Sequence, residues 1–239
     1  MFASVTGFAG SQPFNDWFAP DTTQRHALGT KVDAVDPFWG YGSFMYVKSN
    51  DAILKGSLVV WDEVYQIVLM PSAVTQGFPW AVAMAPMASG TYGWVQQAGR
   101  AVYKTNATVA ADGVVAIAAA GILGATATGK QLSGVRNRKA ATGTESITGV
   151  QTTTGSGILY ATGGYDGAFV GAALSGTGIP GSSIVVKLGA DGKTIYCGTT
   201  IAGAADKLAT ATGTITLTAT YTGFGSGVIN NPSTIVTVA

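Results

Sequence analysis

Apolar residues fall along most of this chain in short runs bounded by turn-forming residues, the pattern of many short strands. The runs FMYVK at 44–48, SLVVWDEVYQIVLM at 57–70, WAVAMAPMA at 80–88, GWVQQAGRAVYK at 93–104 and VVAIAAAGIL at 114–123 are rich in Val, Ile, Tyr and Trp. Gly, Pro, Asn or Asp separates them at roughly even spacing, which predicts a sandwich or barrel from about residue 40 to 143. WDEVYQIVL is read as strand, although an apolar run this short also fits a helix. The most apolar window, GVVAIAAAGILGA at 113–125, is shorter than the ~20 residues of a membrane helix and holds internal glycines, so a buried strand pair is expected.

Composition shifts at KAATGTESITGVQTTTGSG, residues 139–157, where Thr, Gly and Ser dominate. Beyond it GILYAT, AFVGAAL, SSIVVKL, KTIYCGTTI and TGTITLTATYT suit strands. GADG at 189–192 can close a hairpin, because Asp191 and Gly192 accept turn conformations that β-branched residues resist. The closing stretch ends in STIVTVA, one more strand that could return to the first domain and make the second an insertion. At the other end Phe2, Phe8, Phe14, Trp17 and Phe18 lie among Gly, Pro, Asn and Asp without a period. They describe an extended arm whose aromatics must pack on the body or on a neighbouring subunit. The expected organisation is all-β: an arm at 1–30, a barrel-like body at 31–147, a small sandwich-like outer domain at 148–223 and a C-terminal strand at 224–239.

Composition supports this picture. Charged residues are 10% of the chain against a usual ~25%, while 47% is apolar and glycine occurs 34 times. Disorder wants low hydrophobicity and high charge, and helices disfavour Gly, Thr and Val. A formal charge of +1 supplies no field to draw nucleic acid; the one basic cluster, Arg136, Arg138 and Lys139, reads as a solvated loop. The single cysteine, Cys197, excludes an internal disulfide framework and a Cys-based zinc site and is expected to pack as a small hydrophobe. MFASVTGFAGSQPFNDWF has neither a basic n-region nor a long apolar stretch, so no secretory signal is expected.

Candidates for chemistry are few. His26, the only histidine, lies in the polar stretch DTTQRHALG and reads as a surface or loop residue. The closest carboxylate pairs are Asp33 with Asp36 and Asp62 with Glu63, expected as turn and edge charges. A paired-carboxylate glycosidase would need such groups to meet in space. GTGIPG at 176–181 is glycine-rich, but it precedes the strand SSIVVKL where a phosphate loop would precede a helix. Asn106 in NAT fits a glycosylation acceptor, without a secretory signal to support it. No catalytic, cofactor-binding or metal-binding residue is assigned, and no enzyme activity is expected.

The run TTTGSGILYATGG, AFVGAALSGTGIPGSSIVVKLGADGKTIYC and LATATGTITLTATYT resembles a small β module that recurs in tailed-bacteriophage virion proteins. GTGIP, the DG hairpin and the final Thr ladder come in the same order. The first part, with GSFMYVKSNDAILKGSLVVW and YGWVQQAGRAVYKTNATVAADGVVAIAAAGILGA, resembles phage capsid decoration (cement) proteins. The resemblance implies a β-barrel or β-tulip body on the outer capsid surface, a trimer, the major capsid protein as partner, and shell stabilisation by bridging capsid subunits. No cofactor is expected, and the charge and hydropathy of the chain predict neither a nucleic-acid nor a membrane partner. The alternative expectation is a spike- or fibre-like module recognising a host surface glycan or protein, with Tyr160, Tyr165 and Tyr196 stacking on sugars or packing across strands.

Overall fold

The computed structural model describes residues 3–4, 19–36, 40–72, 79–106, 109–125, 132, 135–138, 142–165, 170–189, 191–200 and 204–230. The arm aromatics and the expected strand STIVTVA lie outside them. Among these residues there is no helix. Two compact units divide the chain: Thr142–Thr222 is one, and the segments on either side of it form the other.

The flanking unit begins with β1 (Ala3–Ser4), β2 (Lys31–Asp36), β3 (Gly40–Ser49), β4 (Leu58–Trp61), β5 (Gln66–Leu69), β6 (Trp80–Ala83) and β7 (Tyr92–Lys104). It continues through β8 (Val115–Ala119), β9 (Ile122–Ala125) and β10 (Val135–Asn137). β3, β5, β4, β6 and β7 pair in that order, and β7 pairs back to β3, so the five strands close a ring. Alternate residues point into it: Met45, Val47, Val59, Ile67, Ala81, Ala83 and Val95 form one buried cluster with Ile53 and Met87. Small Ala81 and Ala83 leave room for the two methionines in a narrow interior.

The outward residues of these strands are buried as well, which is why SLVVW and WAVAM read as continuous apolar runs. Leu58, Val60, Trp80 and Val82 pack under the β8–β9 hairpin, through Val115, Ile117 and Leu123. The hairpin tip is tied down by backbone: Leu58 N donates to Gly121 O and Gly121 N donates to Met70 O, both at 2.9 Å. Elsewhere on the ring Phe44, Tyr46 and Trp94 pack against Val32 and Ala34 of β2. The run at 57–70 is two strands and not one. Asp62 Oδ1 accepts hydrogen bonds from the amides of Val64 (3.0 Å) and Gln66 (2.8 Å), and Tyr65 takes φ 60°, which reverses the chain inside an otherwise apolar sequence.

The second unit holds β11 (Thr142–Thr152), β12 (Ile158–Ala161), β13 (Ala173–Ser175), β14 (Ser183–Leu188), β15 (Thr194–Gly198) and β16 (Gly213–Thr222). They close a six-stranded barrel in the order β11, β12, β15, β14, β13, β16. The unit expected as sandwich-like thus folds its sheet onto itself, because long β16 pairs with β11 along one edge and with β13 along the other. Val150, Leu159, Val185, Ile195, Cys197 and Leu217 are fully buried. Burial pushes the Cys197 thiol pKa up.

After the barrel the chain re-enters the first unit as β17 (Phe224–Asn230), which pairs with β7 from Phe224↔Lys104 to Asn230↔Ala98 and with β10 on its other side. The barrel is therefore inserted between two strands that are neighbours in one sheet.

Candidate functional site

The carboxylates named from sequence are mostly engaged in local structure. Asp62 caps the β4–β5 turn, and Glu63 beside it is exposed. Asp33 sits on β2 opposite Ser43 and Asp36 opposite Gly40. Tyr41 hydrogen-bonds Asp33, and that bond, with a smaller effect of burial and of the carboxylate charge, raises the phenol pKa. Among the described residues no three His, Cys, Asp or Glu side chains gather as metal ligands.

His26 belongs to a strap, residues 19–30, laid over β3 and β7. Asp21 and Tyr92 exchange backbone hydrogen bonds (2.8 and 2.9 Å), and Gly29 N donates to Tyr46 O at 2.8 Å. Beneath the strap the Tyr46 hydroxyl donates to Asp21 Oδ2 at 2.8 Å, while Arg25 Nε lies 2.9 Å from Asp21 Oδ1. The His26 ring stands edge-on to Tyr46 at 5.0 Å and tilted against Trp94 at 5.3 Å. Histidine here packs aromatics and is built into an anchoring cluster.

On the inserted barrel the three tyrosines separate. Tyr165 is buried and its hydroxyl donates to Gly189 O, so it supports the hairpin. Tyr160, 39% exposed, faces out from β12, where it opposes Thr194. Half-buried Tyr196 on β15 opposes exposed Ile158 on one side and Lys187 on the other, with Lys187 Nζ 5.4 Å from its ring centre. On β11 and β16 Thr142 faces Thr222, Thr144 faces Thr220 and Ser146 faces Thr218. Thr144 and Thr220 hydroxyl oxygens are 3.4 Å apart, and those of Thr154 and Thr212 are 3.1 Å apart. These pairs give the barrel an uncharged hydroxyl ladder.

Its turns carry the remaining sequence features. In GTGIPG, Ile179 N donates to Gly176 O at 3.0 Å and Ser183 Oγ to Pro180 O at 2.5 Å, and the loop delivers β14. Burial works to raise the Asp191 pKa. Hydrogen bonds from the Thr194 hydroxyl and the Lys193 and Thr194 amides outweigh it and hold the carboxyl below the usual range. Of the basic trio, Arg138 pairs with Asp112 at 3.2 Å, position 136 lies on β10, and Lys139 is outside the described residues. The Asn106 backbone N–H donates to Leu123 O, and residues 107–108 of its NAT motif are also outside them.

Sequence reading missed one surface. Beyond the ring, β3 and β7 run on and are flanked by β2 and β17, and this flared sheet has one buried and one open side. Ala34, Ala101 and Ile229 are buried. Val35, Tyr41 and Val228 point the other way and are 42%, 52% and 50% exposed. Compared with known protein families, with curated proteins and with solved structures, the chain matches none.

Proposed function

We propose that this chain is a bacteriophage capsid decoration protein, which binds the outer surface of the shell as a trimer and stabilises it by bridging copies of the major capsid protein. The observation that carries this reading is the insertion. A complete barrel is spliced between neighbouring strands β10 and β17 of the other unit, so one unit can dock while the other is displayed. The resemblance of the runs between residues 152 and 222 to a phage virion module supports the same reading. Docking of this kind draws strength from repetition, since weak contacts made together by several linked copies add up to firm attachment.

The reading is tested on particles prepared with and without the protein. Particles carrying it hold stoichiometric copies and release their DNA at a higher temperature. Equal thermal stability, together with failure of the purified chain to bind shells, refutes it. Exposed Tyr160 beside Tyr196 and Lys187 favours a second reading, a host-recognition module that binds a surface glycan or protein. Tyrosine faces stack on sugar rings, and the neighbouring ammonium supplies a donor. Under that reading Tyr160→Ala lowers adsorption to cells and leaves particle stability unchanged.

A further inference from the structure

We propose that the outer face of β12 and β15 on the inserted barrel is a saccharide site that takes a sugar bearing a carboxylate; this rests on the second reading above, in which the barrel recognises a host surface. Among the described residues of the barrel, the exposed large apolar side chains are Ile158, Tyr160 and Leu208. They are gathered in one place. Ile158 and Tyr160 are two apart on β12 and share its outward face. Leu208 lies in a segment fastened beside them, where Lys207 N donates to Cys197 O and Ala209 N donates to Ser156 O. Register sets Tyr196 opposite Ile158 and Thr194 opposite Tyr160. Gln151 stands on the other side of Tyr160, and Lys187 on the other side of Tyr196. Tyr160 and Tyr196 are thus diagonal neighbours, about 7–8 Å apart.

Single exposed apolar residues are ordinary, but a group of them with polar side chains at its rim marks a contact site. Its size and chemistry choose the occupant. A few side chains offer far less than the ~800 Å² per partner of a standard protein interface, too little to hold a protein surface or a second copy. A sugar ring is small enough, and it has an apolar face with hydroxyls around its edge. The tyrosine rings and Ile158 suit the face. The Gln151 amide, which both donates and accepts, and the Thr194 hydroxyl suit the edge. Charge adds the carboxylate. Lys187 is exposed, its ammonium lies 5.4 Å from the Tyr196 ring centre, and no carboxylate of the described residues pairs with it. The acids of the adjoining turns, Asp191 and Asp206, are each held by a threonine hydroxyl and by backbone N–H. A carboxylate on the sugar would take a charge-assisted hydrogen bond from Lys187.

The test adds three probes to the purified full chain: trigalacturonate and sialyllactose, which carry carboxylates, and neutral maltotriose. In the wild type, which needs no variant to fold, at least one acidic probe shifts the ring NMR signals of Tyr160 and Tyr196, and maltotriose does not. Tyr160→Ala and Lys187→Gln lower the affinity for that probe at least fivefold, while Thr144→Ala on the hydroxyl ladder leaves it unchanged. Equal binding of maltotriose overturns the inference, as does acidic-probe binding that both variants retain. If no probe shifts the tyrosines while Tyr160→Ala still lowers adsorption to cells, this inference is overturned and the second reading stands with a protein receptor. No probe binding together with unchanged adsorption overturns both. Sedimentation of the wild type with phosphatidylglycerol vesicles, lost in Lys187→Gln, makes the patch a lipid contact and overturns the saccharide. A fall in the mass of the free protein on Tyr160→Ala makes it a contact between copies and overturns it too.

Discussion

Replacing Tyr46 with Phe isolates the bond that fastens the strap. The ring is fully buried and keeps its place against His26 and Trp94. What is lost is the hydroxyl, which donates to Asp21 Oδ2 at 2.8 Å and accepts from the Arg25 amide at 3.2 Å. A hydrogen bond to a charged group contributes about 1.5–3 kcal/mol, and stranding the buried partner sets the upper part of that range. Asp21 is 8% exposed but keeps Arg25, so the expected loss is about 2 kcal/mol. Asp21→Asn retains an acceptor for the phenol and loses the charge. Its ion pair is with an arginine whose side chain is 43% exposed, so it costs about 1 kcal/mol, and the double variant shows a coupling of about 1 kcal/mol. Urea unfolding followed by tryptophan fluorescence reads this cleanly. All five tryptophans, at positions 17, 39, 61, 80 and 94, lie outside the inserted barrel, so the signal reports one unit of a chain whose two units need not unfold together. A loss under about 0.5 kcal/mol, or no coupling, would refute the role given to Asp21.

Three further outcomes are expected. Burial pushes the Lys55 ammonium down to about 8, so between about 8 and the ordinary lysine value of ~10.4 the unfolded chain binds more protons and stability rises with pH. Lys55→Met removes that rise, so the difference in stability between the two proteins changes across this window; a constant difference in urea midpoint contradicts it. Gly99 holds φ +99°, and a Cβ there would collide with the Tyr41 carbonyl oxygen. Gly99→Ala therefore lowers the tryptophan-detected midpoint well beyond Gly40→Ala, which has φ +73° and open space around it; equal effects refute the clash. Residues 142–222, expressed alone, unfold cooperatively by circular dichroism because their strands close a ring among themselves; a broad, uncooperative melt contradicts this.

The strand content was legible because its signal is local. Enrichment in Val, Ile, Thr and aromatic residues found the segments of β7, β12, β14, β15 and β16, and Asp191-Gly192 marked a turn that hydrogen bonds from Lys193 and Thr194 then secure. Two things escaped a local reading. One is the reversal at Asp62–Tyr65, where the sequence has no Gly, Pro or Asn and the turn depends on a single aspartate capping two amides. The other is closure: whether β16 finds β13 as well as β11 depends on pairings across the whole unit. The unit also begins at Thr142, inside a Thr/Gly stretch that reads by composition as a domain boundary, yet it pairs from Thr142↔Thr222 to Ile147↔Leu217.

The flared face was invisible in the sequence for a related reason. Its exposed members stand at 35, 41 and 228, and none of them lies in a run that reads as a strand from the sequence. Only the register assembles them, and register has a parity: sliding β17 by one residue against β7 would turn Val228 inward and Ile229 out. Buried Ile229 holds that register from behind, packing in the cluster of Trp80, Tyr103 and Leu123. The core that stabilises the sheet therefore also decides which residues its open side displays. Ile229 is fully buried, so Ile229→Ala should cost about 2–5 kcal/mol in tryptophan-detected urea unfolding. Val228, 50% exposed, should tolerate Glu within about 0.5 kcal/mol, and equal losses for the two variants would refute the assignment of Ile229 to the inner face and Val228 to the open one.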